Sequence, residues 1–220
     1  MQTAKGKITV STQRFTFTDR LRIWFRWFLE PTARFLLRLG LTPSTMTLAG
    51  LAGNILAAFY IAQGKITLGG LLMLIFTPFD ALDGAMARQA GEASEWGAFV
   101  DSVTDRYSEL FVLGGLIYYF AMNAHPLWAV VTFAAAAGTV LVSYVKARAE
   151  AVGYEAKVGL LTRVERYLVL APSLLFNIPH VGILVIAMFA NYTALQRIFH
   201  VRRQVRAEMR RHSQSAKGGK

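Results

Sequence analysis

Four carboxylates stand out in an otherwise apolar chain: Asp80, Asp83, Asp101 and Asp105, all within DALDGAMARQAGEASEWGAFVDSVTDR. The first pair is spaced i,i+3 and the second i,i+4, so on two helices each pair occupies a single face, one turn apart. Four negative charges beside lipid are costly and call for a positive partner. Two divalent cations match that charge. Mg2+ or Mn2+ is typically held by a few carboxylates together with substrate phosphate oxygens. Gly84 and Gly97 each lie beside a carboxylate helix and let a backbone or ligand approach closely. Arg88, five residues beyond Asp83, reaches a phosphate. This set describes a two-metal site handling a phosphate diester at a membrane surface. The competing reading pairs the aspartates with Arg88 and Arg106, but two arginines cannot balance four carboxylates.

The elements that must carry these residues are helices in a bilayer. Of 220 residues, 54% are hydrophobic and only 17% charged, with a mean hydropathy of +0.38, which places the chain among multi-span membrane proteins. The fold class expected is an all-α polytopic membrane protein, with six transmembrane helices preceded by an N-terminal interfacial amphipathic helix. Residues 1–13 are polar and contain no apolar core of a cleavable signal. Residues 14–39 alternate arginines with Trp24, Phe25, Trp27, Phe28, Leu29 and Phe35, the pattern of a helix lying in the interface plane, with Pro31 expected to kink or divide it. The Thr42-Pro43-Ser44-Thr45 run starts the first span, which ends near Gln63 and is rich in small residues; Asn54 there is expected to make an interhelical hydrogen bond. Five more spans follow: 66–89, 95–122, 127–145, 160–176 and 181–199. The second and third form a hairpin that brings the four aspartates together. Residues 204–220 read as a basic, disordered tail. Cysteine is absent, so neither a disulfide framework nor a thiolate metal site is available.

The net charge of +11 would suggest nucleic acid in a soluble protein. Here the charge is gathered at the termini and in one loop, so anionic membrane lipids are the expected partner and nucleic acid is not. Eight Lys and Arg precede the first span, five lie between Lys146 and Arg166, and eight follow from Arg197 onward, whereas the opposite loops hold only Lys65. The positive-inside rule therefore places both termini and the aspartate hairpin on the cytoplasmic side of the cell membrane.

The motif Asp80-x2-Asp83-Gly84-x2-Ala87-Arg88-x8-Gly97-x3-Asp101-x3-Asp105 resembles the signature of the CDP-alcohol phosphatidyltransferases at eight fixed positions over 26 residues. The likeness extends over about residues 42–203. It implies that a CDP-linked lipid binds over the metals, an alcohol attacks its β-phosphorus, and CMP leaves. It implies Asp80, Asp83 and Asp101 as metal ligands, and Asp105 as general base with metal contact. It places Asp83, Gly84, Ala87, Arg88 and Gly97 around the CDP-lipid, and it suggests a homodimer.

A second constellation is basic: Ser143, Lys146, Arg148, Arg163, Arg166 and Arg197, all expected at the same membrane face as the aspartates. Guanidinium forks grip phosphate in a bidentate manner, so the cluster suits an acceptor carrying its own phosphate. The same residues also satisfy the positive-inside bias, with Glu150 and Glu165 as local partners. The run from Ser143 to Ala151, followed by Arg163-x-Glu165-Arg166, is similar to the phosphatidylinositol-phosphate synthase branch of that family, with Val164 where that branch often has Pro. That likeness implies inositol phosphate as acceptor and Ser143, Lys146, Arg148, Arg166 and Arg197 as its phosphate contacts. It leaves open CDP-diacylglycerol or an ether-lipid analogue as donor. Two alternatives remain: the same reaction on glycerol 3-phosphate or another alcohol, and a divalent-cation transporter, since carboxylates within a membrane often line ion pathways.

Overall fold

The computed structural model describes residues 17–218. Those residues form eight helices and no strand: α1 Phe17–Arg38, α2 Pro43–Ala62, α3 Ile66–Phe76, α4 Phe79–Ala90, α5 Glu95–Met122, α6 Pro126–Ala151, α7 Arg163–Leu175 and α8 Pro179–Gly218. The polar segment 1–13 and the first residues of the expected amphipathic helix lie outside the described part. From there α1 runs unbroken through Pro31.

Local chemistry sets the helix ends. Thr42 caps α2: its hydroxyl accepts from the Thr45 amide at 3.3 Å, the Thr45 hydroxyl accepts from the Thr42 amide at 2.8 Å, and Pro43 stands where no amide is needed. Ser94 caps α5 by accepting from the Gly97 amide at 3.1 Å. The expected second span is two helices rather than one. Pro78 offers no amide to continue the ladder, and α3 gives way to α4 at Thr77-Pro78. Asn54 spans this break: its amide donates to the Gly50 carbonyl at 2.8 Å, and its oxygen accepts from the Thr77 hydroxyl at 3.2 Å. It is the interhelical hydrogen bond expected of it.

The helices alternate in direction. On α2 and α3, Gly53 meets Phe76 while Ala57 meets Gly69, so the two run antiparallel. On α2 and α5, Ala58 meets Gly115 and Gly64 meets Tyr119, so they run the same way. Tyr167 donates to the Leu74 carbonyl at 2.9 Å while Gly70 abuts Leu174, setting α7 against α3. Asn191 donates to Ala134 at 2.9 Å and Arg197 to Val142 at 2.6 Å, so α8 runs with α6. The core between them holds Ile61, Val112, Leu116, Phe120, Leu170, Leu174, Ile183 and Ile186. A smaller cluster of Ala33, Met46, Leu82, Ala85 and Met86 seats α1 on α2 and α4.

Large apolar side chains such as Phe59, Leu74, Phe111, Phe133, Phe189 and Phe199 face outward, as lipid-exposed surfaces do. Four segments among the described residues are long and apolar enough to cross a membrane: Pro43–Ala62, Ile66–Ala90, Pro126–Ala151 and Pro179–Arg211. The sequence reading counted six. The difference lies in α5, whose first half carries Asp101, Asp105, Arg106 and Glu109, and in α7, which has only 13 residues. The tail read as disordered is also helical, because α8 continues to Gly218. No Gly or Pro interrupts residues 204–217, and Gln204 and Glu208 find partners in the α6–α7 connection.

The α2–α5 contact depends on one missing methyl group. A Cβ at Gly115 would stand 2.5 Å from the Ala58 carbonyl oxygen, whereas one at Gly114 meets nothing. Gly115→Ala should destabilise by about 1–3 kcal/mol through overpacking. Gly114→Ala should be neutral or stabilising, by up to about 1 kcal/mol of helix propensity. Thermal unfolding in detergent compares them; equal midpoints would show that the backbones need not approach so closely.

Candidate active site

The α3–α4 break and the 91–94 turn bring the two carboxylate helices together. Oxygens of Asp80, Asp101 and Asp105 lie within 4.8 Å of one another, a grouping that can hold a metal ion. Gly50 makes room: a Cβ there would come within 3.2 Å of the Asp80 carboxylate. Asp83 lies one turn further along α4, outside this group. It is buried, and its carboxylate accepts from the Thr47 hydroxyl of α2 at 2.5 Å. The structure thus gathers three of the four aspartates at one point and holds the fourth one helical turn away.

Basic partners are present but incomplete. The Arg163 guanidinium, from the first turn of α7, bridges two acids: Nη2 pairs with Asp80, and Nη1 lies 2.6 Å from Asp105. Arg106 adds a contact of 3.2 Å to Asp105. The Asp101 and Asp105 Oδ1 atoms are buried with no hydrogen-bond partner. Orphaned carboxylate oxygens are expensive, and native structures rarely leave them so. Hard oxygen donors, close convergence and two unsatisfied oxygens together fit a divalent cation.

Beside this centre opens a cleft of about 400 Å3, lined by α2, α4, the 91–94 turn and the start of α5. Asp83, Gly84, Ala87, Arg88, Gly97 and Asp101 all face it, so every position expected around a CDP-lipid lies on one concave surface. Trp96 stands at its edge, 71% exposed and stacked on Phe99 at 5.7 Å between ring centres.

The expected acceptor residues are less uniformly placed. Lys146 and Arg148 are exposed and Ser143 half-buried at the end of α6. Lys146 lies 3.8 Å from Glu150. Arg166 is 2% exposed and committed to a bidentate pair with Glu109, at 2.7 and 2.9 Å, with a further bond to the Leu161 carbonyl. Arg197 is buried too; it donates to the carbonyls of Val158 at 2.8 Å and Val142 at 2.6 Å. Both arginines therefore build the α6–α7 connection, and only their remaining N–H groups are left to meet a phosphate. A small cavity among α3, α5 and α7 is lined by Met73, Thr77, Asp105, Glu109, Arg163 and Arg166, and Arg197 does not reach it.

Three contacts escaped the sequence reading. Thr47 is a hydroxyl in the first turns of an apolar span, which was the available signal. Glu109 lies one turn beyond Asp105 on α5. Arg163 was grouped with the acceptor residues, and nothing in its spacing says that it reaches Asp80, 83 positions earlier.

Two outcomes follow. Removing an orphaned ligand, Asp101→Asn, should weaken Mn2+ binding, followed by electron paramagnetic resonance, by at least the roughly 10–100-fold that loss of an outer partner costs; unchanged affinity would remove Asp101 from the metal site. Glu109→Ala strands a buried guanidinium and should cost about 3–5 kcal/mol in thermal unfolding, with partial recovery in Glu109→Leu/Arg166→Met.

The family model described as CDP-alcohol phosphatidyltransferase matches residues 40–201. A phosphatidylinositol phosphate synthase of Streptomyces avermitilis is 37% identical over 199 residues, covering 83% of this chain and 81% of the relative. An archaetidylinositol phosphate synthase of Pyrococcus horikoshii is 32% identical over 178 residues, covering 80% and 92%. The crystal structure of Mycobacterium tuberculosis phosphatidylinositol phosphate synthase with CDP-DAG bound superposes with a TM-score of 0.72 at 33% identity, covering 79% of this chain and 92% of that one. The same enzyme in complex with manganese and citrate gives 0.73 at 32% identity, covering 79% and 88%. The chain therefore belongs to the CDP-alcohol phosphatidyltransferase family and is a membrane phosphatidyltransferase of phospholipid biosynthesis.

Proposed function

We propose that the chain transfers the phosphatidyl group of CDP-diacylglycerol to inositol phosphate, releasing CMP and forming phosphatidylinositol phosphate. The observation that carries this reading is the continuity of the cleft with the acidic centre. Asp83, Gly84, Ala87, Arg88 and Gly97 line one concave surface, and Asp101 stands at its inner edge, sharing an oxygen cluster with Asp80 and Asp105. A diphosphate seated along that surface would have its β-phosphorus beside the carboxylates.

Two divalent ions held by Asp80, Asp83, Asp101 and Asp105, Mg2+ or alternatively Mn2+, would neutralise the diphosphate and stabilise the departing phosphate of CMP. The side chains supply the rest. The Thr47 hydroxyl fixes the Asp83 carboxylate toward the cleft. Arg88, on the cleft wall, offers a fork to the phosphates. Asp105 accepts the proton of the acceptor hydroxyl as that oxygen bonds to the β-phosphorus and the bond to CMP breaks. The acceptor's own phosphate is met by Ser143, Lys146 and Arg148 and by the free donors of Arg166 and Arg197.

The membrane placement supports the same reading. If α5 and α7 cross together with the four apolar segments, the alternating helix directions give six passes and bring both termini and the aspartates to one face. The arginine and lysine bias makes that face cytoplasmic, where α1 lies along the interface of the cell membrane and anionic lipid meets the basic flanks. The relatives include a phosphatidylinositol phosphate synthase and an archaetidylinositol phosphate synthase, so an ether-lipid donor belongs to the same proposal. Homodimerisation is part of it as well. The ion-transport alternative finds no support among these relatives.

Purified protein with CDP-diacylglycerol and labelled acceptors tests the reading. CMP release should be at least about tenfold faster with inositol phosphate than with inositol, since a site built for a phosphate rejects an acceptor lacking it. EDTA should abolish release, and Mg2+ or Mn2+ should restore it. Asp105→Asn should lower kcat by on the order of 10²–10⁴. Release with glycerol 3-phosphate and none with inositol phosphate would overturn the acceptor assignment while leaving the reaction class intact.

A further inference from the structure

The connection between α6 and α7, residues 152–162, has little secondary structure of its own, yet it delivers Arg163 to the acidic centre and Arg166 to Glu109. Five of its backbone groups are paired by side chains of α8. The Thr193 hydroxyl accepts from the amides of Leu160 and Leu161, both at 3.3 Å. Arg197 donates to the Val158 carbonyl at 2.8 Å. Gln204 takes both groups of Glu155, donating to its carbonyl at 2.6 Å and accepting from its amide at 3.3 Å. Beyond these, the Tyr154 hydroxyl donates to Glu208 at 2.7 Å. The positions 193, 197, 204 and 208 are spaced by 4, 7 and 4 residues, so they form a single stripe along α8, at about 100° per residue. The connection lies along that stripe in the opposite direction. Gly159 allows the contact: a Cβ there would stand 2.4 Å from the Thr193 methyl group, and its φ of +144° is one that L side chains rarely adopt.

We propose that Gln204 and the Tyr154–Glu208 pair are positioning residues for the acceptor half of the reaction. They act by holding this strap at a fixed distance from α8, which is why α8 continues as helix past its apolar portion. The inference rests on the proposed transfer reaction, because it assigns the acceptor's phosphate to residues at the end of α6 and the start of α7. The ends of the strap are the last two turns of α6, bearing Lys146 and Arg148, and the first turn of α7, bearing Arg163 and Arg166. A phosphate held between those two ends feels any slack in the strap as misplacement, and small misplacements are costly in rate. The donor cleft is lined only by residues 43–47, 83–88 and 92–101, none of which the strap touches through these bonds. The two substrates should therefore respond differently.

The experiment uses the full chain in detergent with CDP-diacylglycerol. Gln204→Ala should raise KM for the phosphorylated acceptor by about tenfold while the donor KM stays within about twofold. Tyr154→Phe, which removes one hydroxyl and leaves the ring, should shift the acceptor KM in the same direction. Met209→Ala, which is exposed and off the stripe, should behave as wild type. Hydrogen exchange supplies a readout that needs no turnover: amides 155–161 should exchange faster in Gln204→Ala and Tyr154→Phe, and amides of α2 and α5 should not. Unchanged exchange across the strap, or equal rises in both KM values, would overturn the proposal. If wild-type protein releases no CMP with inositol phosphate, the acceptor reading fails. The kinetic comparison is then made with whichever phosphorylated alcohol supports release, and the exchange result still decides the strap.

Discussion

Mutual repulsion among the carboxylates at the ends of α4 and α5 is the constraint on which the rest of this structure turns. Asp80, Asp101 and Asp105 have oxygens within 4.8 Å of one another in a chain whose surroundings are mostly hydrocarbon side chains. Such an arrangement is unfavourable unless opposite charge sits among the oxygens. Arg163 supplies part of it by bridging Asp80 and Asp105, and Arg106 adds an edge contact. The two unpartnered oxygens mark what the protein's own cations leave undone. A divalent ion bound together with a nucleotide diphosphate would complete the balance, since each would bring charge that the other needs.

Holding like charges together requires helices that cannot relax apart. The bundle achieves this by close backbone approach rather than by large interlocking side chains. Gly50 leaves space for Asp80, Gly53 accepts the Phe76 ring, and Gly115 lies on the Ala58 backbone. In lipid there is little hydrophobic force between helices, so such contacts and a few interhelical hydrogen bonds carry the association. Asn54, bonded across the α3–α4 break, ties that break to α2, and beyond it α4 brings Asp80 to Asp101 and Asp105 of α5 and Asp83 to Thr47 of α2.

The α6–α7 side of the bundle is built by a different device. α6 and α7 are joined by a strap whose backbone is satisfied by polar side chains of α8, with Arg166 locked to Glu109 and Arg197 to two carbonyls. Residues that read as phosphate ligands therefore also serve as structural clamps. A guanidinium has five N–H groups, enough to do both. Arg163 reaches from α7 to the carboxylates of both α4 and α5, tying this side of the bundle to the acidic centre.

The chain's chemistry and family were legible in the amino-acid order because they depend on residue type at fixed helical spacing. Asp80 through Asp105 carry both the motif and the periodicity that places each pair on one face, and small residues and apolar runs announce a membrane bundle. What depended on partners distant in the chain was not legible. That Asp83 turns to Thr47, that Arg163 bridges two aspartates, that Arg166 is committed to Glu109, and that residues beyond 203 stay helical are all consequences of which surfaces meet after folding. Propensity and spacing act over a few residues, whereas the pairing of a buried charge is settled by whichever opposite group the packed helices bring within reach.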